Sequence, residues 1–162
     1  KKLKKNKKIL LIGDLQCSSQ FGDVSKFINF DLICATEKEA RIATQDYNSG
    51  LERIANLLIS KTKIKNLILK LGSDGFILYR VVGTKNIIDR KHFPALESYP
   101  IDLAGAGDTL LSAVSISLSA GLDIVEASAV ASCASALAVQ KLGNNPIKLS
   151  EISDYVNSND II

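Results

Sequence analysis

Residues 102 to 112 read DLAGAGDTLLS: two glycines around an alanine, a carboxylate on either side, then an apolar run. Gly105 and Gly107 permit backbone angles closed to other residues, which marks main chain that turns tightly or approaches a ligand closely. Leu110, Leu111, Val114 and Leu118 follow at helical spacing, so Asp108 is expected at a helix N-terminus. Outward-pointing N–H groups of Gly105, Ala106 and Gly107 would form an anion hole there, strengthened by the helix dipole, with phosphate as the expected guest. A carboxylate repels phosphate, yet it is useful if Asp108 takes a proton from an attacking hydroxyl while the amides neutralise a transferring phosphoryl group. The alternative is that Asp108 stabilises the helix start and nothing more. The loop is neither of two common nucleotide motifs: it lacks GK[ST], and Leu110 occupies the last glycine position of GxGxxG.

Outward from this loop the chain alternates strand and helix patterns. KILLIG (8–13) is a short apolar run whose carboxyl end opens toward Asp14, and DLICAT (31–36) is a second such strand. Residues 37–63 read as helical, with Leu51, Ile54, Leu57 and Leu58 apolar, and NSG at 48–50 breaks the helix in two. NLILKLGSDGFILYRVVG (66–83) is two strand patterns around Gly72–Gly75, a hairpin signal, with a third strand near NIIDRKHF (86–93). SYPIDL (98–103) is expected to supply the strand before the glycine loop, since ligands in open α/β sheets bind beyond strand carboxyl ends. Gly121 ends the following helix, Asp123 starts another reaching about Gln140, and SEISDYVNSNDII closes the chain with a fraying helix. The order implies an α/β layer structure, helices packed on a largely parallel sheet.

Composition narrows the function classes. With 162 residues, 46% hydrophobic and 23% charged, the chain suffices for one sizeable core. Six of the first eight residues are lysines, so the net charge of +3 is a local feature and the remainder is net acidic. That run reads as a solvated basic end over residues 1–7; a nucleic-acid arm is the weaker reading, and no membrane partner is expected. Cys17, Cys34 and Cys133 show no CxxC spacing, which disfavours a disulfide framework or zinc site and fits a reducing, cytoplasmic setting. His92, the only histidine, sits in polar DRKHF and reads as a surface residue, which sets aside Ser-His-Asp and Cys-His chemistry. The alanine-rich run at 124–139 carries Glu126, three serines and a cysteine, so it is not a membrane span, and the basic start lacks the apolar core of a signal peptide. With no methionine anywhere, the chain is expected to be processed or cut from something longer.

DLAGAGDTLLSAVSISLSAG (102–121), with KLGSDG (70–75) upstream and ASAVASCASALAVQKLG (127–143) downstream, resembles the carboxyl half of a ribokinase-like (PfkB) carbohydrate kinase. The resemblance rests on the family's Asp-x-x-Gly-Ala-Gly-Asp loop, here Asp102 to Asp108. It implies a three-layer α/β/α ribokinase-like sandwich, present in part with a hairpin at the sheet edge, and transfer of the ATP γ-phosphoryl to a sugar or sugar-phosphate hydroxyl. It further implies Asp108 as general base, Gly105, Ala106 and Gly107 as anion hole, Gly72 and Gly75 along ATP, and Ser132, Cys133 and Ala136 walling the adenine. The family's Asn-x-x-Glu motif, which supports Mg2+, falls on TEKE, so Thr36 replaces the asparagine while Glu39 keeps the acid. Lys70 stands where threonine is usual; it either reaches a phosphate or is an exposed strand residue. Asp102 matches the acid that holds a monovalent cation in family members, or it is a turn or cap residue. GDLQCSSQFGD (13–23) and GNNP (143–146) further resemble the branch related to heptose-phosphate kinases, some of which are fused to nucleotidyltransferases.

The resemblance spans about Lys8 to Asn157, while complete family members are about twice as long. The expectation is therefore one partial domain over residues 1–162 that holds most of the ATP site and the base but not the sugar-binding residues, and that does not phosphorylate free sugars alone. A homodimer remains open. The rival reading is a non-catalytic module that keeps the fold as a binding or oligomerisation surface, with Thr36 and the missing half as its best support.

Overall fold

The computed structural model describes residues 9–14, 23–83 and 87–159. The basic run, Cys17 and most of GDLQCSSQFGD lie outside the described residues. The chain divides into two compact units, one built from residues up to Leu71 together with Ile77–Lys91, the other from Gly72–Phe76 and residues from His92 onward.

The first unit is a five-stranded sheet with two helices on one face. Its strands are β1 (Ile12–Asp14), β2 (Leu32–Thr36), β3 (Asn66–Lys70), β4 (Phe76–Val82) and β5 (Ile87–Phe93), arranged in sequence order. β1 pairs parallel with β2 and β2 parallel with β3, in a register that sets Asp14 beside Cys34 and Thr36 beside Lys70. The links from β3 to β4 and from β4 to β5 are too short for a crossover, so these neighbours run antiparallel and the sheet is mixed, with the expected hairpin strand β5 at its edge. Leu32, Ile33, Cys34 and Ala35 are all fully buried, which accounts for the unbroken apolar run of a strand covered on both faces.

Helices α1 (Glu37–Thr44) and α2 (Leu51–Thr62) are separated at the NSG break as the sequence suggests. They press Ala40, Ala43, Ile54, Ala55 and Leu58 onto Ile33, Ala35, Leu67, Leu69 and Tyr79 to form the core. Leu57 departs from expectation: it faces outward at 38% exposure, and Ala55 and Ile59 take the inward positions one turn apart.

In the second unit, α3 (Ala106–Ser119) packs on α4 (Ile124–Val139), and α5 (Leu149–Ser158) follows. α4 buries Ala127, Ser128, Ala131, Ser132, Cys133, Ala134 and Ala136, small side chains that allow close helix approach, against an α3 face of Leu110, Val114 and Ser117. Asp123 caps α4 by accepting the Val125 and Glu126 N–H groups, and Glu126 returns the bond to the Asp123 N–H at 2.9 Å. Cys34 and Cys133 are free and buried. His92 is exposed, as expected, its Nε2 2.8 Å from the Asp74 carbonyl oxygen. Among the described residues no helix is long and apolar enough to cross a membrane.

One expected strand is absent. Residues 98–103 form bends and irregular chain. Pro100 lacks an N–H for a sheet ladder, and the Ile101 and Asp102 N–H groups instead donate to the Val139 carbonyl at 2.7 and 3.1 Å. That carbonyl is one of the acceptors left over at the carboxyl end of α4. The glycine loop is therefore tied to a helix end rather than carried on a strand.

Candidate functional site

The N-terminus of α3 is built from the loop over residues 102–108. Gly105 is its N-cap with φ +77°, a left-handed conformation, and no side chain caps the helix. Ala106 and Gly107 are the first two helical residues, so Gly107 lies in regular helix rather than in the turn itself, and exposed Asp108 is the third. The first helical bond runs from the Thr109 N–H to the Gly105 carbonyl at 2.8 Å. The Ala106 N–H reaches the Leu103 carbonyl only at 3.4 Å, and the N–H groups of Gly105, Gly107 and Asp108 find no partner among the described residues. Free donors at the positive end of a helix of 14 residues can accept an anion.

Asp102 holds this loop in place. Its Oδ1 accepts the Ala104 N–H and its Oδ2 the Gly143 N–H, both at 2.9 Å, so one carboxylate ties the start of α3 to the turn after α4. These two backbone bonds, the Ala104 bond foremost, hold its carboxyl below the usual aspartate value of 3.8. A group with a lowered folded pKa contributes stability that is present above its unfolded value and is lost as pH falls through the folded one. In an NMR pH titration the Gly143 and Ala104 amide protons are thus expected to report a midpoint below 3.8. A midpoint at or above that value contradicts the bonding described.

Asn144 completes the corner. A Cβ on Gly105 would lie 2.4 Å from Asn144 Oδ1, while at Gly72, with φ +65°, nothing stands within 4 Å. Gly105→Ala is therefore expected to cost about 1–2 kcal/mol for the left-handed backbone, with the exposed Asn144 side chain swinging aside, measurable by urea unfolding.

The remaining residues singled out from sequence fall as follows. In the second unit, Gly72 and Gly75 bracket a short 3-10 turn, Gly72 exposed and Gly75 half-buried. Ser132, Cys133 and Ala136 are buried in α4, at 9%, 3% and 5% exposure, and Ser135 Oγ reaches the Ala106 carbonyl at 3.4 Å. Burial raises the Cys133 thiol above its usual value.

In the first unit, Thr36 and Glu39 form a reciprocal capping box. Thr36 Oγ1 accepts the Glu39 N–H at 3.2 Å, and Glu39 Oε2 accepts the Thr36 N–H at 2.7 Å. The T-x-x-E pattern signals this cap in the sequence alongside its resemblance to a phosphate and magnesium motif. Glu39 is only 6% exposed. Among the described residues no three His, Cys, Asp or Glu side chains gather as a metal cage. A single acid suits Mg2+, which keeps several waters and takes most of its protein-side charge from one or two carboxylates and substrate phosphates.

Lys70 is not the exposed strand residue that one sequence reading allowed: its side chain is 19% exposed and its Nζ bonds both Asp14 oxygens, at 2.8 and 3.1 Å. No local signal marks this pair, whose members stand 56 positions apart. Between them lies Cys34, pushed up to about 12 by burial first and by Asp14 second, which makes it an inert thiol.

Comparisons with known proteins bear on the family and the fold. The family profile described as pfkB family carbohydrate kinase matches residues 1–150. Bifunctional protein HldE of Geotalea uraniireducens is 31% identical over 133 residues, covering 80% of this chain and 26% of that protein. Ribokinase from Thermotoga maritima superposes with a TM-score of 0.75 at 26% identity, over 91% of this chain and 49% of that one. Arabidopsis thaliana ribokinase, solved with ribose and ATP, gives the same TM-score at 20% identity, over 91% of this chain and 47% of that one. The chain thus spans about a quarter of the curated relative's length and about half of each ribokinase, and its α/β fold is ribokinase-like.

Proposed function

The chain belongs to the pfkB family of carbohydrate kinases, and from that premise we propose that it carries the ATP-binding and proton-abstracting part of an enzyme that phosphorylates a sugar or sugar-phosphate hydroxyl. The observation that carries this reading is the uncapped α3 N-terminus, with unpartnered N–H groups and the exposed Asp108 carboxylate in one helical turn.

In this mechanism the acceptor hydroxyl oxygen attacks the γ-phosphorus of ATP. Its O–P bond forms as the bridging P–O bond breaks, ADP leaves with that electron pair, and Asp108 takes the hydroxyl proton. The amides of Gly105, Ala106 and Gly107 face the charge that develops on the transferring group and need no reorganisation to do so. Gly72 and Gly75 lie along the nucleotide, and Ser132, Cys133 and Ala136 lie on its adenine side. Lys70 serves a phosphate. Glu39 would hold Mg2+, which when bound would neutralise polyphosphate charge. The Asp102 carboxylate has lone pairs beyond the two N–H groups it accepts and would hold a monovalent cation.

The HldE relative, with GDLQCSSQFGD and GNNP, supports a phosphorylated heptose as the acceptor class, and cysteines without CxxC spacing support a reducing, cytoplasmic setting. Calorimetric titration with Mg-ATP, followed by ADP release with free and phosphorylated sugars as acceptors, tests the reading. Nucleotide binding and acceptor-dependent ADP release by the whole protein are expected; absence of nucleotide binding overturns it. A non-catalytic module has one specific support, the commitment of Thr36 and Glu39 to capping α1, and nucleotide binding without turnover is its signature.

A further inference from the structure

The Asp14–Lys70 pair asks for an account that neither the core nor the general base supplies. Asp14 ends β1 and Lys70 ends β3, with β2 between them. The register sets Asp14 level with Cys34 and Ile68, so Lys70, two residues further along on the same face, reaches back across the end of β2 to its partner. That face is opposite to the one α1 and α2 cover with Ile33, Ala35, Leu67 and Leu69. An ammonium has three N–H donors. Two meet the Asp14 oxygens, and the third has no partner among the described residues although the side chain is 19% exposed.

The pair's place in the fold gives that spare donor a use. It stands at the carboxyl ends of parallel strands, where open α/β sheets bind ligands. Lys70 is also two residues before the turn at Gly72–Asp74. A flexible lysine on an exposed strand end samples many rotamers, and holding it extended removes that entropy before a ligand arrives.

We propose that Asp14 is a positioning residue that holds the Lys70 ammonium extended so that its remaining N–H meets a phosphate of a nucleoside triphosphate. The inference rests on the kinase reading above for its ligand, but not for its geometry. Asp14 contributes through Lys70 rather than by touching the nucleotide, so its effect vanishes when the lysine is gone.

Calorimetry with the full-length protein tests this, using ATP, AMP and inorganic tripolyphosphate as probes and the variants Lys70→Met, Asp14→Asn and the two combined. Lys70→Met is expected to weaken ATP and tripolyphosphate about tenfold or more, as loss of a charged hydrogen bond does, and to change AMP little. Asp14→Asn is expected to weaken ATP about threefold alone and to have no further effect beside Lys70→Met. If Lys70→Met fails to fold by circular dichroism, Lys70→Gln takes its place.

Unchanged ATP affinity in a folded lysine variant overturns the proposal and leaves the pair a structural brace. An Asp14→Asn effect that persists without the lysine overturns the positioning role. Lys70-dependent tripolyphosphate binding without ATP binding removes the nucleotide from the kinase reading while the positioned lysine stands. Binding of neither probe by the unaltered protein overturns both.

Discussion

Asp108→Asn is expected to lower turnover by about 10²–10⁴, the usual cost of removing a general base, while leaving nucleotide affinity unchanged or slightly tighter. Asparagine preserves the shape and hydrogen-bonding reach of the side chain but cannot accept the proton. It also removes one negative charge from the region proposed to hold phosphates, which accounts for the direction of the affinity change. The competing role, an acid in the first turn of α3, predicts a different outcome. Its loss costs about 0.3–1 kcal/mol of stability through the helix dipole and spares the chemistry. Turnover and calorimetric ATP titration on the same folded variant separate the two, and near-normal turnover returns Asp108 to a structural role.

The largest stability effect is expected at Gly75. Its φ is +81°, and a Cβ there would lie 2.1 Å from the Phe93 carbonyl oxygen, 2.6 Å from the Ala95 nitrogen and 2.7 Å from the Pro94 carbonyl carbon. All three are main-chain atoms, so no side chain can swing away. The neighbouring Phe76 and Phe93 rings stack with centroids 4.9 Å apart, which holds the two segments together. Gly75→Ala therefore adds forced displacement of backbone to the left-handed penalty, about 3–5 kcal/mol in all, a large share of the roughly 5–15 kcal/mol that stabilises a typical domain. A fall in Tm on the order of 10 °C is expected. Gly72→Ala is the control: its φ is +65° but the space around it is open, so only the backbone penalty applies. Equal losses at the two glycines would show that the close approach of Phe93–Ala95 does not matter.

Both experiments start from a loop and a turn that were visible in the sequence, and the reason is that their information is local. Helical spacing after Asp108, the glycine before it, the Asp123 cap and the NSG break each act over a few residues, and each element formed where its pattern stood. The parallel β2–β3 pairing followed for the same reason, since two apolar runs joined by the helical residues 37–63 can be closed only by a crossover. TEKE was equally local, but it carries two meanings at once, a ligand motif and a capping box, and only hydrogen-bond geometry tells which atoms are engaged. What tertiary structure alone decided are the partners far apart in the chain. SYPIDL has strand-like residues, yet its Ile101 and Asp102 N–H groups find the end of α4 instead of a sheet edge. Asp102 meets Gly143 across 41 positions and Lys70 meets Asp14 across 56. Periodicity says which face of an element is apolar; it cannot say which distant carboxylate will stand opposite a given amide or ammonium, because that depends on sheet register and helix packing settled only when the whole chain closes.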